Sequence, residues 1–391
     1  MTTSSFADRV FLRCRAAILV LALMLGACGS APSTGSGAPA PKSPAAAPPA
    51  SVAPASTADW NAVLAAAKKE GRLAVGGPPG QPWRDALTMF SQQYADIRME
   101  FFGASTTDFW PRVEREQGSG QFLWDVQVGG IGPDTFQVRD NGLLDPVRPL
   151  MTLPEVVDGS KWLGGLDALF VDKEKQYLPG FLANVQNNVF VNRDQIPENQ
   201  LRAAKDLLDP RWKGKMALQE PRQGGAGNAQ LAVLMKTNGE AFVRDLLSSQ
   251  NLPITADYRQ LTEWVVRGQY PIVIGSSLDF IRPFYDQGLG RNVTPLREPL
   301  AVSSGNGGIK LLKRAPHPNA AKLFVNWLLS RETQAALSKT VAYNSRRLDV
   351  APADPNTAAD PARVADYVYD QYEDIIPLKQ RVIELSKQLL R

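Results

Sequence analysis

Two periods of apolar spacing alternate along this chain. Trp60 to Lys69 sets Val63, Leu64 and Ala67 on one helical face and ends at Gly71. Arg72 to Val75 reads as a short strand, and the turn Gly76-Gly77-Pro78-Pro79-Gly80 leads to Trp83, Leu87, Phe90 and Tyr94 at helical spacing. Ile97 to Phe102 alternates as a strand before Gly103-Ala104-Ser105-Thr106-Thr107. Trp124 to Val128 repeats the pattern, ending in Gly129-Gly130 ahead of a short helix that stops at Asn141-Gly142. The recurring order of strand, small polar turn and helix predicts an α/β fold with a largely parallel sheet. In such sheets ligands gather outside the carboxyl ends of the strands, where helix N-termini offer free N–H groups. Gly77, Ser105, Thr106 and Gly130 are therefore candidate ligand-binding residues.

The second half repeats the scheme. Phe181 to Asn192 is a long β-rich stretch suited to crossing between two lobes, and Asp209-Pro210-Arg211-Trp212-Lys213-Gly214-Lys215 turns into a strand. Gln223-Gly224-Gly225-Ala226-Gly227 precedes a helix through Lys236, and the strand Tyr270 to Gly275 ends at Ser276-Ser277. Gly224 and Gly225 form a candidate anion nest with Arg222 beside it, and the Ser276 and Ser277 hydroxyls are candidate donors. Trp83, Tyr258 and Phe280 are candidates for an apolar wall. Each has a plainer reading: glycine turns serve sharp bends, arginines serve ion pairs, and the helical phase of Trp83 suits a core.

Ser303 to Ser330 joins a glycine-rich turn, a strand from Gly308 to Leu312 and a helix with Leu323, Phe324, Trp327 and Leu328 on one face. His317, the sole histidine, lies between Pro316 and Pro318 and reads as a helix lead-in. Asp360 to Arg391 is expected to be a terminal helix, with Tyr367, Ile375 and Leu378 packed back on the body.

The N-terminus changes the picture of location. Arg9, Arg13 and Arg15 precede an apolar run from Ala16 to Leu25, too short to span a bilayer, which needs about 20 residues. Leu25-Gly26-Ala27-Cys28 follows, so residues 1–27 are expected to be a cleaved signal and residues 28–57 a Pro/Ala/Ser-rich tether. Cys14 and Cys28 are the only cysteines, which leaves the body without a thiol for a disulfide or a zinc cluster. Asp8, Arg9, Arg13 and Arg15 carry two of the four net positive charges, and the near-neutral remainder is not that of a nucleic-acid binder.

The run Ala315-Pro316-His317-Pro318-Asn319-Ala320-Ala321-Lys322-Leu323-Phe324 with Asn326-Trp327-Leu328-Leu329-Ser330 is similar to the late segment of extracellular solute-binding proteins of ABC importers. The stretch Asp209 to Lys215 resembles the same family, in the branch that contains the ferric-ion-binding proteins. Leu25-Gly26-Ala27-Cys28 resembles the lipobox of bacterial lipoproteins, in which Cys28 would carry the lipid. The resemblance implies a two-lobed periplasmic-binding-protein type II fold with a ligand cleft between the lobes. Lobe 1 would be 58–180 with a return segment at 298–345, lobe 2 would be 181–297, and a C-terminal helical segment would be 346–391.

It also implies an exported, lipid-anchored, monomeric receptor that captures a small solute, with an anionic organic molecule among the candidates, and delivers it to an ABC transporter permease. No cofactor, metal or nucleic acid is expected. Ferric members of this branch use adjacent tyrosines after the strand matching Tyr270 to Gly275, helped by a histidine in the first turn. Here Ser276-Ser277 and Gly76 to Gly80 stand instead, which speaks against iron. The alternatives are a ligand-presenting sensory lipoprotein, a ferric receptor with unusual ligands, or a histidine-free enzyme. No GxSxG, HExxH or P-loop sequence is present.

Overall fold

A computed structural model describes residues 56–390. The expected signal, the Cys28 lipidation site and nearly all of the expected tether lie outside the described residues.

Two five-stranded sheets each support one lobe. The first runs in the order Arg98–Gly103, Arg72–Gly77, Val126–Gly129, Gly308–Leu312, Leu144–Asp145. Its first three strands are parallel, and Gly308–Leu312, arriving late in the chain, enters antiparallel with Ile309 opposite Val128. The second sheet runs Val293–Pro295, Val189–Asn192, Ile272–Ile274, Met216–Gln219, Ile254–Thr255.

Alternation fails to mark the central strands because helices cover both faces. Val126–Gly129, Met216–Gln219 and Gly308–Leu312 are buried at every position. Around the first sheet pack Leu73, Val75, Leu87, Phe90, Phe324 and Trp327, and around the second Val189, Leu218, Leu231, Leu246 and Ile274. The helix Pro318–Leu329 supplies eight residues of the first core from chain far removed in sequence, with Phe324 and Trp327 edge-on to Phe90 at 5.4 and 5.3 Å.

A third, small sheet lies between them, in the order Val368–Tyr369, Ala301–Ser303, Asn184–Gln186. Asn184–Gln186 falls within the stretch 181–192 expected to cross between lobes. The strand Val368–Tyr369 corrects the expected terminal helix. Residues Pro361–Asp366 form a 3-10 turn, Val368–Tyr369 pairs in parallel with Ala301 and Val302, and the α-helix spans only Ile376–Leu389. Proline at both starts and ladder bonds from the N–H groups of Val368 and Asp370 to the Leu300 and Val302 carbonyls decide the break. Ile375, Val382 and Leu385 then complete the second core.

Candidate functional site

Beside the small sheet lies a cavity of about 150 Å³ lined from both lobes. The crossing strand contributes Asn184, Gln186, Asn187 and Asn188. The turn and helix after Ile272–Ile274 contribute Ser277, Asp279 and Arg282, and the far wall holds Tyr343, Asp354 and Thr357.

Each wall has a local cause. Asn187 is held by its own neighbourhood: Nδ2 donates to the Pro299 carbonyl at 2.8 Å and Oδ1 accepts the Val189 N–H at 2.9 Å. Asn188 donates its N–H to Gln230 Oε1 at 2.9 Å. The helix Leu278–Asp286 begins at Ser277 and turns Asp279 and Arg282 along the opening. Arg282 Nη2 reaches Asp354 Oδ2 at 3.3 Å across the cavity. Burial pushes the Tyr343 phenol up, and the Asp279 carboxylate adds to the shift. One cation therefore faces two carboxylates over a wall of carboxamides. That set suits a small polar molecule with both acidic and donor groups.

Of the residues expected from sequence to bind ligand, Ser277 lines this cavity. Ser276 is fully buried, its hydroxyl 3.1 Å from that of Thr262. Gly77 closes the strand Arg72–Gly77, where a Cβ would run into the Phe101 ring. Trp83 is packed in the first core rather than along an opening. Ser105 caps the helix Thr106–Gly118, accepting the Asp108 N–H at 3.2 Å and donating to Asp108 Oδ2 at 2.6 Å, and Thr106 opens that helix.

The glycine turn at 224–227 is occupied by the protein itself. Gln219 Oε1 accepts the Gly227 N–H at 2.8 Å, and the Tyr258 hydroxyl accepts that of Ala226 at 3.2 Å. Arg222 forks onto Glu220, with bonds of 2.8 and 2.7 Å. Two of the turn's glycines, Gly225 and Gly227, answer a local need, since a Cβ at Gly227 would overlap the Gln219 carbonyl and Gly225 sits at φ 154°. Tyr258 lies flat against Phe280, ring centroids 4.5 Å apart and 5° from parallel. The two rings form a stacked pair outside the cavity lining.

Gly130 has a partner that sequence reading missed. Lys310, fully buried in Gly308–Leu312, donates to the carbonyls of Gly129 and Gly130 at 2.7 and 2.8 Å. Burial pushes its ammonium down to about 7, with the Asp134 charge acting the other way. The charged letter inside Gly-Ile-Lys-Leu-Leu was the available signal. For the cavity the signal was the polar run Gln186-Asn187-Asn188 inside an apolar stretch. Among the described residues, no three of His, Cys, Asp and Glu gather as a metal site.

Residues 182–340 match a family described as bacterial extracellular solute-binding protein. An uncharacterized protein of Haemophilus influenzae is 27% identical over 282 residues, 70% of this chain and 77% of that protein. Solved structures share the architecture. A periplasmic binding protein, AfuA of Actinobacillus pleuropneumoniae with fructose-6-phosphate bound, is 22% identical with a TM-score of 0.54, covering 82% of this chain and 98% of its own. Iron-bound HitA of Pseudomonas aeruginosa is 20% identical at a TM-score of 0.55, with 80% and 99% covered. The ferric binding protein of Campylobacter jejuni is 16% identical at 0.59, with 81% and 99% covered. At these identities the likeness is one of fold, the two-lobed periplasmic-binding-protein fold of mixed sheets and helices.

Proposed function

We propose that this bacterial extracellular solute-binding protein, of the type II periplasmic kind that serves ABC importers, captures a small polar organic solute between its lobes and hands it to a permease. It acts by binding rather than catalysis. The observation that carries the reading is the cavity beside the crossing strands, to which the second lobe contributes Asp279, Arg282 and the carboxamides of 186–188, and the opposite wall Tyr343 and Asp354. A solute touching Asp279 and Arg282 on one side and Tyr343 and Asp354 on the other would favour one arrangement of the lobes, which is what a permease can recognise.

The solute is small, because a cavity of about 150 Å³ lies below the usual range for drug-sized ligands, about 300–1,000 Å³. It carries an acidic group for Arg282, and hydroxyl or ammonium donors for Asp279, Asp354 and the asparagine oxygens. An anionic organic molecule with such donors fits; a bare inorganic anion meets too many carboxylates. Ferric ion is disfavoured, since Ser276 and Ser277 stand where phenolates would be required. The protein is further proposed to be a monomer tethered at the cell envelope through a lipid on Cys28, exported by residues 1–27.

The test is thermal unfolding of the mature chain against amino acids, hydroxy acids, sugar acids, sugar phosphates and ferric ion. A compound that binds only the folded state adds about 2.7 kcal/mol at a hundredfold excess over its Kd. A shift from one acidic, donor-bearing class, lost in Arg282→Ala, supports the reading. A shift from ferric ion alone, or one that survives both Arg282→Ala and Asp279→Asn, overturns it.

A further inference from the structure

The end of the chain belongs to one lobe and reaches across to the other. The helix Ile376–Leu389 is part of the second core through Val382 and Leu385. Arg381 forks onto Glu240 at 2.7 and 2.8 Å, and Asn228 Nδ2 donates to the Lys379 carbonyl at 2.9 Å. Asp374, just before the helix, pairs with Lys236 of the helix Ala226–Asn238. All of these partners lie in the second lobe.

Glu373, the preceding residue, faces the opposite way. Arg139, in the helix Pro133–Asp140 of the first lobe, meets it end-on, Nη2 to Oε1 at 2.9 Å and Nη1 to Oε2 at 3.1 Å. Glu373 Oε2 also accepts the Lys173 N–H at 2.8 Å, and the neighbouring Tyr372 hydroxyl donates to the Ala168 carbonyl at 2.6 Å. Exposure separates the two acidic residues. The Arg139 and Glu373 side chains are 8% and 19% exposed, those of Lys236 and Asp374 38% and 51%. A two-bond, charge-assisted pair largely out of water holds far more firmly than an exposed one.

We infer that Arg139 and Glu373 form a clasp between the lobes, which sets the balance of lobe arrangements before any solute arrives. The 3-10 turn Glu373–Ile375 places Ile375 in the second core and bonds the Glu373 N–H to the Val171 carbonyl at 3.0 Å, so a rotation about Asn184–Gln186 and Ala301–Ser303 that carries this turn with the second lobe parts Glu373 from Arg139 and from Val171. The guanidinium is not stranded when that happens, because Asp140 and Glu174 hold it from its own lobe at 2.7 and 3.2 Å. Two arrangements thus exist in which Arg139 is paired, the requirement for a latch that can open. The inference rests on the fold alone, and no particular solute is needed for it.

The experiment measures interlobe distance in the solute-free mature chain with Cys28→Ser, spin labels being placed through Arg98→Cys and Arg259→Cys. Both positions are highly exposed, one in each lobe. Glu373→Gln is expected to move the distance distribution, changing the ratio of lobe arrangements about tenfold, the scale of one lost charge-assisted pair. Arg139→Gln should move it alike, and the double variant no further. Asp374→Asn, whose partner is in its own lobe, should leave it in place. An unmoved distribution in folded Glu373→Gln or Arg139→Gln overturns the clasp, as does an Asp374→Asn shift of equal size. Each of the two clasp variants stands in for the other if one fails to fold.

Discussion

Asp125 receives His317 twice, accepting its backbone N–H at 2.7 Å on one oxygen and lying 2.9 Å from its ring Nδ1 on the other. The second oxygen also takes the Ala74 N–H at 2.7 Å. A single carboxylate, wholly buried, therefore binds the strand Arg72–Gly77 to the start of the helix Pro318–Leu329, elements more than 240 residues apart in sequence. Burial pushes this carboxyl up, and the N–H groups of Ala74 and His317 pull it back.

Removing the carboxylate should cost more than removing the imidazole. Asp125→Ala strands the buried Ala74 N–H and the partly buried His317 N–H and is expected to destabilise by about 3 kcal/mol, whereas His317→Ala, which leaves both donors their acceptor, should cost about 1 kcal/mol. Urea unfolding of the two variants checks the order; equal losses would contradict it.

Lys310 should make stability rise with pH. Its folded value of about 7 lies below the usual lysine value of 10.5, so between those values the unfolded chain binds the extra proton. In that window stability climbs by up to about 1.4 kcal/mol per pH unit, and below it the burden of the buried charge is complete. Unfolding free energies from pH 6 to 10 should lose this slope in Lys310→Met, which also leaves the Gly129 and Gly130 carbonyls without their donor.

Gly227 is held to glycine by packing. Gly227→Ala would press its Cβ on the Gln219 carbonyl, with an expected loss of about 1–3 kcal/mol. Gly224, where an added Cβ meets nothing within 4 Å, should tolerate alanine within about 0.5 kcal/mol. Thermal melts of the two variants distinguish packing from a shared anion-holding role, under which Gly224→Ala would blunt solute-induced shifts.

Arg282 should divide recognition from folding. Arg282→Ala loses one exposed bond to Asp354 and is expected to change stability by less than about 1 kcal/mol, while weakening an acidic solute about tenfold or more. Calorimetric titration beside a urea curve reads both quantities.

Cys28→Ser should release the mature protein from the membrane fraction into soluble extract if the lipid is its anchor, because no other acyl-bearing thiol remains after processing. Detergent-phase partitioning of both forms is the check.

Strands such as Arg72–Gly77 and helices such as Pro318–Leu329 were legible because glycine and proline turn residues marked their ends and their length and apolar content fitted one element each, although both are buried almost throughout. The strand Val368–Tyr369 was not. Two residues show no periodicity, and only their partners Ala301 and Val302 make them a strand. The cavity was hidden for a related reason: Asn187, Asp279, Tyr343 and Asp354 are ordinary polar letters until crossings between the lobes bring them together. Glycine letters serve two readings at once, since close approach of Gly227 to Gln219 leaves the same mark in sequence as an anion nest.

The helix Ile376–Leu389 also bears on the order in which the lobes can fold. Ile375, Val382 and Leu385 close the second core over Leu231 and Leu246, yet the chain reaches them only after the late strand and helix of the first lobe. The second lobe must remain incomplete until residue 385 is available, whereas the first has its late strand and helix in hand by residue 341. A chain made from its N-terminus onward therefore completes the two cores in turn, the first before the second.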